Sequence, residues 1–155
     1  MLDIKGNSVD PRSARLSNFT DRAFVFDGVT CCGLEGILQA LKCADHEMQK
    51  HICNMGGREA KRAGTDFNDW KESQILWWMG KPYGRSTVKY LDLITAIYDA
   101  AYEQDPTFKS DLLVTENEEL RHTIGNPDVR DTVLTEVEMI YQLYRLRFRS
   151  LRGCR

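Results

Sequence analysis

No stretch of this 155-residue chain approaches the roughly 20 apolar residues a membrane-spanning helix needs, and the N-terminus carries no apolar signal core. A soluble intracellular protein is expected. The five cysteines (Cys31, Cys32, Cys43, Cys53 and Cys154) are odd in number and lack any CxxC pair. Cys31 and Cys32 are adjacent, with no histidine at zinc-ligand spacing, so reduced thiols are expected in place of a disulfide scaffold or zinc site. His46, His51 and His122 do not cluster, and no metal or other cofactor is expected. GxGxxG, the P-loop and GxSxG are all absent. Gly56-Gly57 lacks the strand-then-helix context of a phosphate loop and reads as a helix break. Repeats, low-complexity tracts and linkers are missing too, so residues 1–155 form one domain, long enough to bury a real core. A net charge of −2 excludes a chain that is basic throughout, but not local basic patches.

What is present is ordinary globular composition, 42% hydrophobic and 28% charged. Residues 1–15 show no periodicity, and Asp10-Pro11 suggests a turn. Phe24-Val25-Phe26 and Val29-Thr30 flank Asp27-Gly28, which predicts a tight hairpin. Helices are predicted over 33–42, 46–55, 58–63, and from Trp70 to Met79, the last stopped by Gly80 and Pro82. Ser86 is the expected cap of the next helix, with Val88, Leu91, Ile94 and Tyr98 facing inward. Pro106 opens a short helix, and 112–115 and 120–124 read as strands. Thr135 and Glu138 form a capping-box pair opening the last helix. There Val137, Ile140, Tyr141, Tyr144, Phe148 and Leu151 are the expected core stripe. A mostly helical α+β domain with a small antiparallel component follows.

The chain appears organised around Gly33 to Lys42. As a helix, this stretch puts Leu34, Ile37, Leu38 and Leu41 on one face. Glu35, Gln39 and Lys42 fall on a neighbouring arc, at the margin of that face. Partial desolvation there would push a carboxylate up and a lysine down in pKa, each toward a useful acid–base range. An exposed Glu–Lys stripe is the competing reading.

Polar loops lie on either side. Ser17-Asn18-Phe19 precedes the hairpin, and Gly125-Asn126-Pro127-Asp128 precedes the last helix. Their Asn and Asp side chains suit ribose hydroxyls, and Phe19 or Trp70 suits stacking on a base. Turn chemistry and core burial are the alternatives. Arg145, Arg149 and Arg152 share one face of the last helix, which has no acid after Glu138. That face is either a contact for nucleic-acid phosphates or a solvated face favourable at a helix C-terminus.

Taken in order, these pieces resemble the NADAR superfamily, of YbiA-like fold. The resemblance rests on Leu16-Ser17-Asn18-Phe19, Phe24-Val25-Phe26-Asp27-Gly28, Leu34-Glu35-Gly36 and Gln39-Ala40-Leu41-Lys42. It continues through Gly57-Arg58-Glu59-Ala60-Lys61-Arg62-Ala63-Gly64, Trp70, Trp78, Arg85-Ser86, His122-Thr123-Ile124-Gly125 and residues 131–136. It runs from about residue 16 to 148. Two departures, Gly36-Ile37 in place of a His-Tyr or similar pair and 126–131 in place of a glycine-rich segment, point to the branch common in phage and eukaryotic sequences.

The resemblance implies an N-glycosidase with a ribosyl cleft. The activity implied is removal of ADP-ribose from guanine in DNA or nucleotides, by a cytoplasmic enzyme of a bacterial or phage-infected cell. Cleavage of phosphoribosyl-amine intermediates of riboflavin synthesis is the alternative. The family pattern carries a catalytic role to Glu35 and Lys42, and substrate contact to Asn18, Trp70 and Asn126 or Asp128. Ser17, Phe19 and Gln39 complete the expected substrate-binding set. Lys42 would attack C1′ and form an imine, with Glu35 moving protons. Rival classes are a non-catalytic ADP-ribose binding module and a partner-binding protein using the aromatic surface around Trp77-Trp78.

Overall fold

The computed structural model describes residues 1–153. Among them are eight helices and three two-stranded pairs, the α+β architecture expected. At its centre lies α2 (Leu34–Ala40), six of whose seven residues are buried. It packs against α3 (His46–Cys53) and α4 (Gly57–Gly64). Gly36 is where α2 and α3 approach: a Cβ there would sit 3.0 Å from the carbonyl oxygens of both Ile52 and Cys53. A larger residue would push the helices apart, which accounts for one of the two departures physically.

Local chemistry explains most elements. Asp10 caps α1 (Pro11–Leu16) by accepting from Arg12 N at 2.9 Å, so the expected turn is a helix start with proline at its first position. The hairpin forms as predicted, β2 (Phe24–Phe26) against β3 (Val29–Cys31). Both central residues, Asp27 and Gly28, have positive φ.

The helix expected from Trp70 to Met79 does not form beyond one turn. After α5 (Trp70–Ser73), Gln74 turns left-handed and β4 (Ile75–Trp78) pairs with β5 (Lys81–Gly84). The reason is visible in the residues: Ile75-Leu76-Trp77-Trp78 is β-prone and buries alternate side chains. Met79 and Gly80, at φ 46° and 83°, then supply a tight turn. Thr87, not Ser86, caps α6 (Val88–Gln104). Its buried set is Tyr90, Leu93, Ile94, Ile97, Tyr98 and Ala101, while Val88 and Leu91 are exposed.

Residues 112–113 end α7 (Pro106–Leu113) and are not a strand. Of the strand expected over 120–124, only β6 (Leu120–Arg121) forms, parallel to β1 (Leu2–Asp3). The capping box of α8 (Glu136–Arg152) is present as predicted, but of the expected core stripe only Ile140 is buried, with Tyr144 half-buried against the core. Met139, Ile140, Leu143 and Leu146 are buried, while Val137, Tyr141, Phe148 and Leu151 face outward. Polar residues share the buried face and are satisfied by distant partners. Arg147 donates to Thr115 Oγ1 and Glu118 O, and Gln142 to Thr95 Oγ1.

Candidate active site

The N-terminus of α2, the Ser17–Phe19 loop, α4 and the loop before α8 enclose a cavity of about 290 Å³. Glu35 N donates to Asn18 O at 3.1 Å, which docks the loop on the helix. Tyr98 Oη donates to Asn18 Oδ1 at 2.8 Å and orients that amide. Ser17 Oγ accepts from Phe19 N and shapes the turn. From the other side, the loop is held by Arg85. This side chain is 1% exposed, donates to Thr132 O, and grips both oxygens of Glu138. Tyr90 Oη donates to Val133 O at 2.6 Å.

Glu35 and Lys42 both line the cavity. Burial pushes the Glu35 carboxyl above its ordinary range, opposed by Gln39, Lys61 and Lys42. Burial likewise pushes the Lys42 ammonium down, with Glu35 opposing. Within one cavity, therefore, a carboxyl keeps its proton more readily, and an amine sheds one more readily, than either does in water. Gln39 Nε2 donates to Glu35 Oε1 at 2.7 Å, while Gln39 Oε1 is buried with no partner. That oxygen sits against Gly64, the last residue of α4. A half-turn of the amide would present Oε1 to a protonated Glu35, so Gln39 can serve both states of the carboxyl.

Of the expected site residues, Ser17, Asn18, Phe19, Glu35, Gln39, Lys42 and Asn126 line the cavity. Trp70 does not: it is 2% exposed and belongs to the hydrophobic core, its Nε1 without an acceptor. It packs because α5 carries it inward from between α4 and β4. Asp128 is exposed and outside the cavity, its carboxylate accepting from Arg130 N. The Arg145 and Arg149 guanidiniums are matched by acids on α6, Asp99 and Glu103. Those acids lie on a different helix, out of reach of any pattern along α8 itself. Among the described residues, Arg152 carries no ion pair and lies over Phe148.

Four ionisable residues of the cavity lie outside the expected set: Lys61, Lys71, His122 and Asp131. Lys71 pairs with Asp131 at 2.8 Å, and Asn126 Nδ2 donates to Asp131 at 2.8 Å. These contacts hold Asp131 below the usual carboxylate range. His122 Nδ1 lies 2.6 Å from Ile4 O, which calls for a proton on Nδ1 and leaves Nε2 as an acceptor. Lys61 Nζ stands 5.5 Å from the Phe19 ring centre. Lys61 and His122 lie inside segments that carried the family resemblance. With Glu35 and Lys42 both drawn toward their neutral forms, Lys61 and Lys71 against Asp131 leave the cavity an excess of positive charge that suits an anion.

Comparison with known proteins agrees with the fold. The solved NMR structure of the E. coli protein YbiA superposes with a TM-score of 0.62, covering 99% of this chain and 88% of that one at 22% identity. That shows the fold to be YbiA-like. A 17.1 kDa protein from the Gp30–rIII intergenic region of Enterobacteria phage T4 is 35% identical over 147 residues, 94% of this chain and 96% of its own length. Residues 11–148, which contain every cavity residue except Gly6, match the bacteriophage protein GP30.3 family. On sequence matches that run nearly end to end, the chain belongs to the bacteriophage protein GP30.3 family.

Proposed function

We propose that the protein is an N-glycosidase that releases ADP-ribose from a base, with guanine in DNA or nucleotides as the substrate class. The observation that carries this reading is the shared burial of Glu35 and Lys42 in a cavity lined by further lysines. Neutral Lys42 attacks C1′, the C1′–N bond breaks, and Glu35 gives its proton to the departing base. The C1′–O4′ bond then opens, O4′ taking a proton from Nζ, which leaves a protonated imine between C1′ and Nζ. Water, activated by the Glu35 carboxylate, hydrolyses the imine and frees both ribose and lysine. Asn18, its Oδ1 already engaged by Tyr98, offers Nδ2 to a ribose hydroxyl. Lys61 and Lys71 hold phosphate.

The cavity is small for a whole ADP-ribose. A second hollow of about 660 Å³ shares Gly6, Phe19 and Ile124 with it and is bordered by Arg58 and Asn7, and it provides room for the adenosine half. The same volume argument favours a second reading, a phosphoribosyl-amine substrate filling the first cavity alone. Guanine-ADP-ribosylated DNA is the deciding substrate, with Glu35→Ala and Lys42→Ala alongside. Release of ADP-ribose by wild type alone, with a borohydride-trapped adduct that Lys42→Ala lacks, is the expected result. Release without an adduct would remove the imine and leave hydrolysis assisted by Glu35. Binding without release would make the protein an ADP-ribose binding module.

A further inference from the structure

His122 follows β6 directly, where the parallel pairing with β1 ends at one wall of the cavity. Ile4, the residue after β1, spends both of its backbone groups on this wall. Its N–H donates to Arg121 O at 2.7 Å, and its buried carbonyl oxygen lies 2.6 Å from His122 Nδ1. A carbonyl only accepts, so in the neutral imidazole the proton is on Nδ1 and Nε2 carries a lone pair. Gly125 makes room for the ring: a Cβ there would stand 2.6 Å from His122 Cδ2 and 3.0 Å from the His122 carbonyl oxygen. Among the described residues Nε2 has no hydrogen-bond partner, and it is not sealed off from the cavity that the ring lines.

Asn18 is the counterpart of His122 in the same cavity. Tyr98 Oη engages Asn18 Oδ1, so that amide meets a ligand with its Nδ2 donor, where His122 meets it with an acceptor. Each polarity is set from behind by a buried group. Hydroxyls suit such walls, because each can donate as well as accept. The ribose hydroxyl nearest the reacting C1′ is the one on C2′. His122 stands near enough to Glu35 for the two to interact electrostatically, behind the larger effects of burial, Gln39 and the lysines. We propose that His122 Nε2 accepts a hydrogen bond from this 2′-hydroxyl and thereby selects ribose over 2-deoxyribose. The use of that selection rests on the glycosidase reading. Every nucleoside of DNA presents a deoxyribose–base bond, and only an attached ADP-ribose presents the hydroxyl that His122 reads, so unmodified DNA is left intact. Hydrogen bonds at this hydroxyl also strengthen as positive charge develops at C1′.

Ribose 5-phosphate and 2-deoxyribose 5-phosphate are the probes, since the ribose 5-phosphate unit is common to ADP-ribose and to a phosphoribosyl-amine. Titrated by NMR into the nitrogen-15-labelled full chain, wild type should bind the ribose about tenfold more tightly, the worth of one hydrogen bond between neutral groups. The His122 Nε2 resonance should move for the ribose alone. His122→Asn keeps a donor for Ile4 O but ends short of the Nε2 position, so melting should hold while the preference vanishes. His122→Gln carries an amide oxygen to that position and should restore part of the preference. Equal affinity of wild type for the two sugars, a preference that survives in His122→Asn, or a neutral ring with its proton on Nε2 would each overturn the proposal. Release of ADP-ribose from modified DNA by a chain without the preference would remove this inference and leave the glycosidase standing. The preference without release would do the reverse.

Discussion

Replacing Gly64 with alanine tests whether the Gln39 amide holds Glu35 in place. A Cβ at residue 64 would overlap Gln39 Oε1 and lie 2.8 Å from its Cδ, closer than real Cβ atoms come. Gln39 is 6% exposed, so the amide can yield only by leaving its site and breaking the 2.7 Å bond to Glu35. Breaking it leaves a buried carboxyl oxygen without its partner, which costs about 1–3 kcal/mol. Alanine over glycine returns at most about 1 kcal/mol in a helix, and less at the last residue of α4. The net loss is about 1–2 kcal/mol, or roughly 2–8 °C in Tm for a domain of this size. Turnover should fall further, at least about tenfold, since each 1.4 kcal/mol of lost positioning is a factor of ten. Thermal unfolding and single-turnover release of ADP-ribose measure the two effects. Gln39→Ala alone loses the same bond to Glu35, so adding it to Gly64→Ala should cost little more in Tm or turnover, a non-additive result. Wild-type melting and turnover in Gly64→Ala would refute the reasoning.

Glu35→Gln should separate stability from activity. Because burial raises the folded pKa of Glu35 above 4.5, its proton linkage favours the fold below about that pH and is lost as pH rises through the raised value. The glutamine variant should therefore melt higher than wild type above neutral pH, the gain shrinking toward pH 4.5, while turnover disappears. Equal melting at every pH would contradict the buried carboxyl. Trp70→Phe should lower Tm through a small cavity, about 1–2 kcal/mol, and leave KM unchanged, because the indole Nε1 makes no hydrogen bond; a large rise in KM would return Trp70 to the site. Arg85→Met strips Glu138 of its buried partner and frees the loop bearing Asn126. A loss of about 3–5 kcal/mol is expected, visible as a lowered denaturation midpoint, and an unchanged midpoint would show that the loop is held otherwise.

Sequence alone determined what neighbours along the chain decide. Asp27-Gly28 made the hairpin, Thr135 with Glu138 capped α8, and the 3.6-residue period put Glu35 and Gln39 on one arc, with Lys42 following in the turn after α2. Those are short-range effects, complete within one or two turns of backbone. Tertiary structure decided the rest, because the deciding partners are remote. Leu2 pairs with Leu120, and Lys71 finds Asp131, which no local pattern records. The sharpest case is α8. Periodicity reveals an apolar stripe but not whether it points in or out, and this helix has two candidate faces. The face that is buried includes Gln142, Arg147 and Ser150, polar residues that become acceptable inside only because Thr95, Thr115, Glu118 and Tyr102 wait there to bond them.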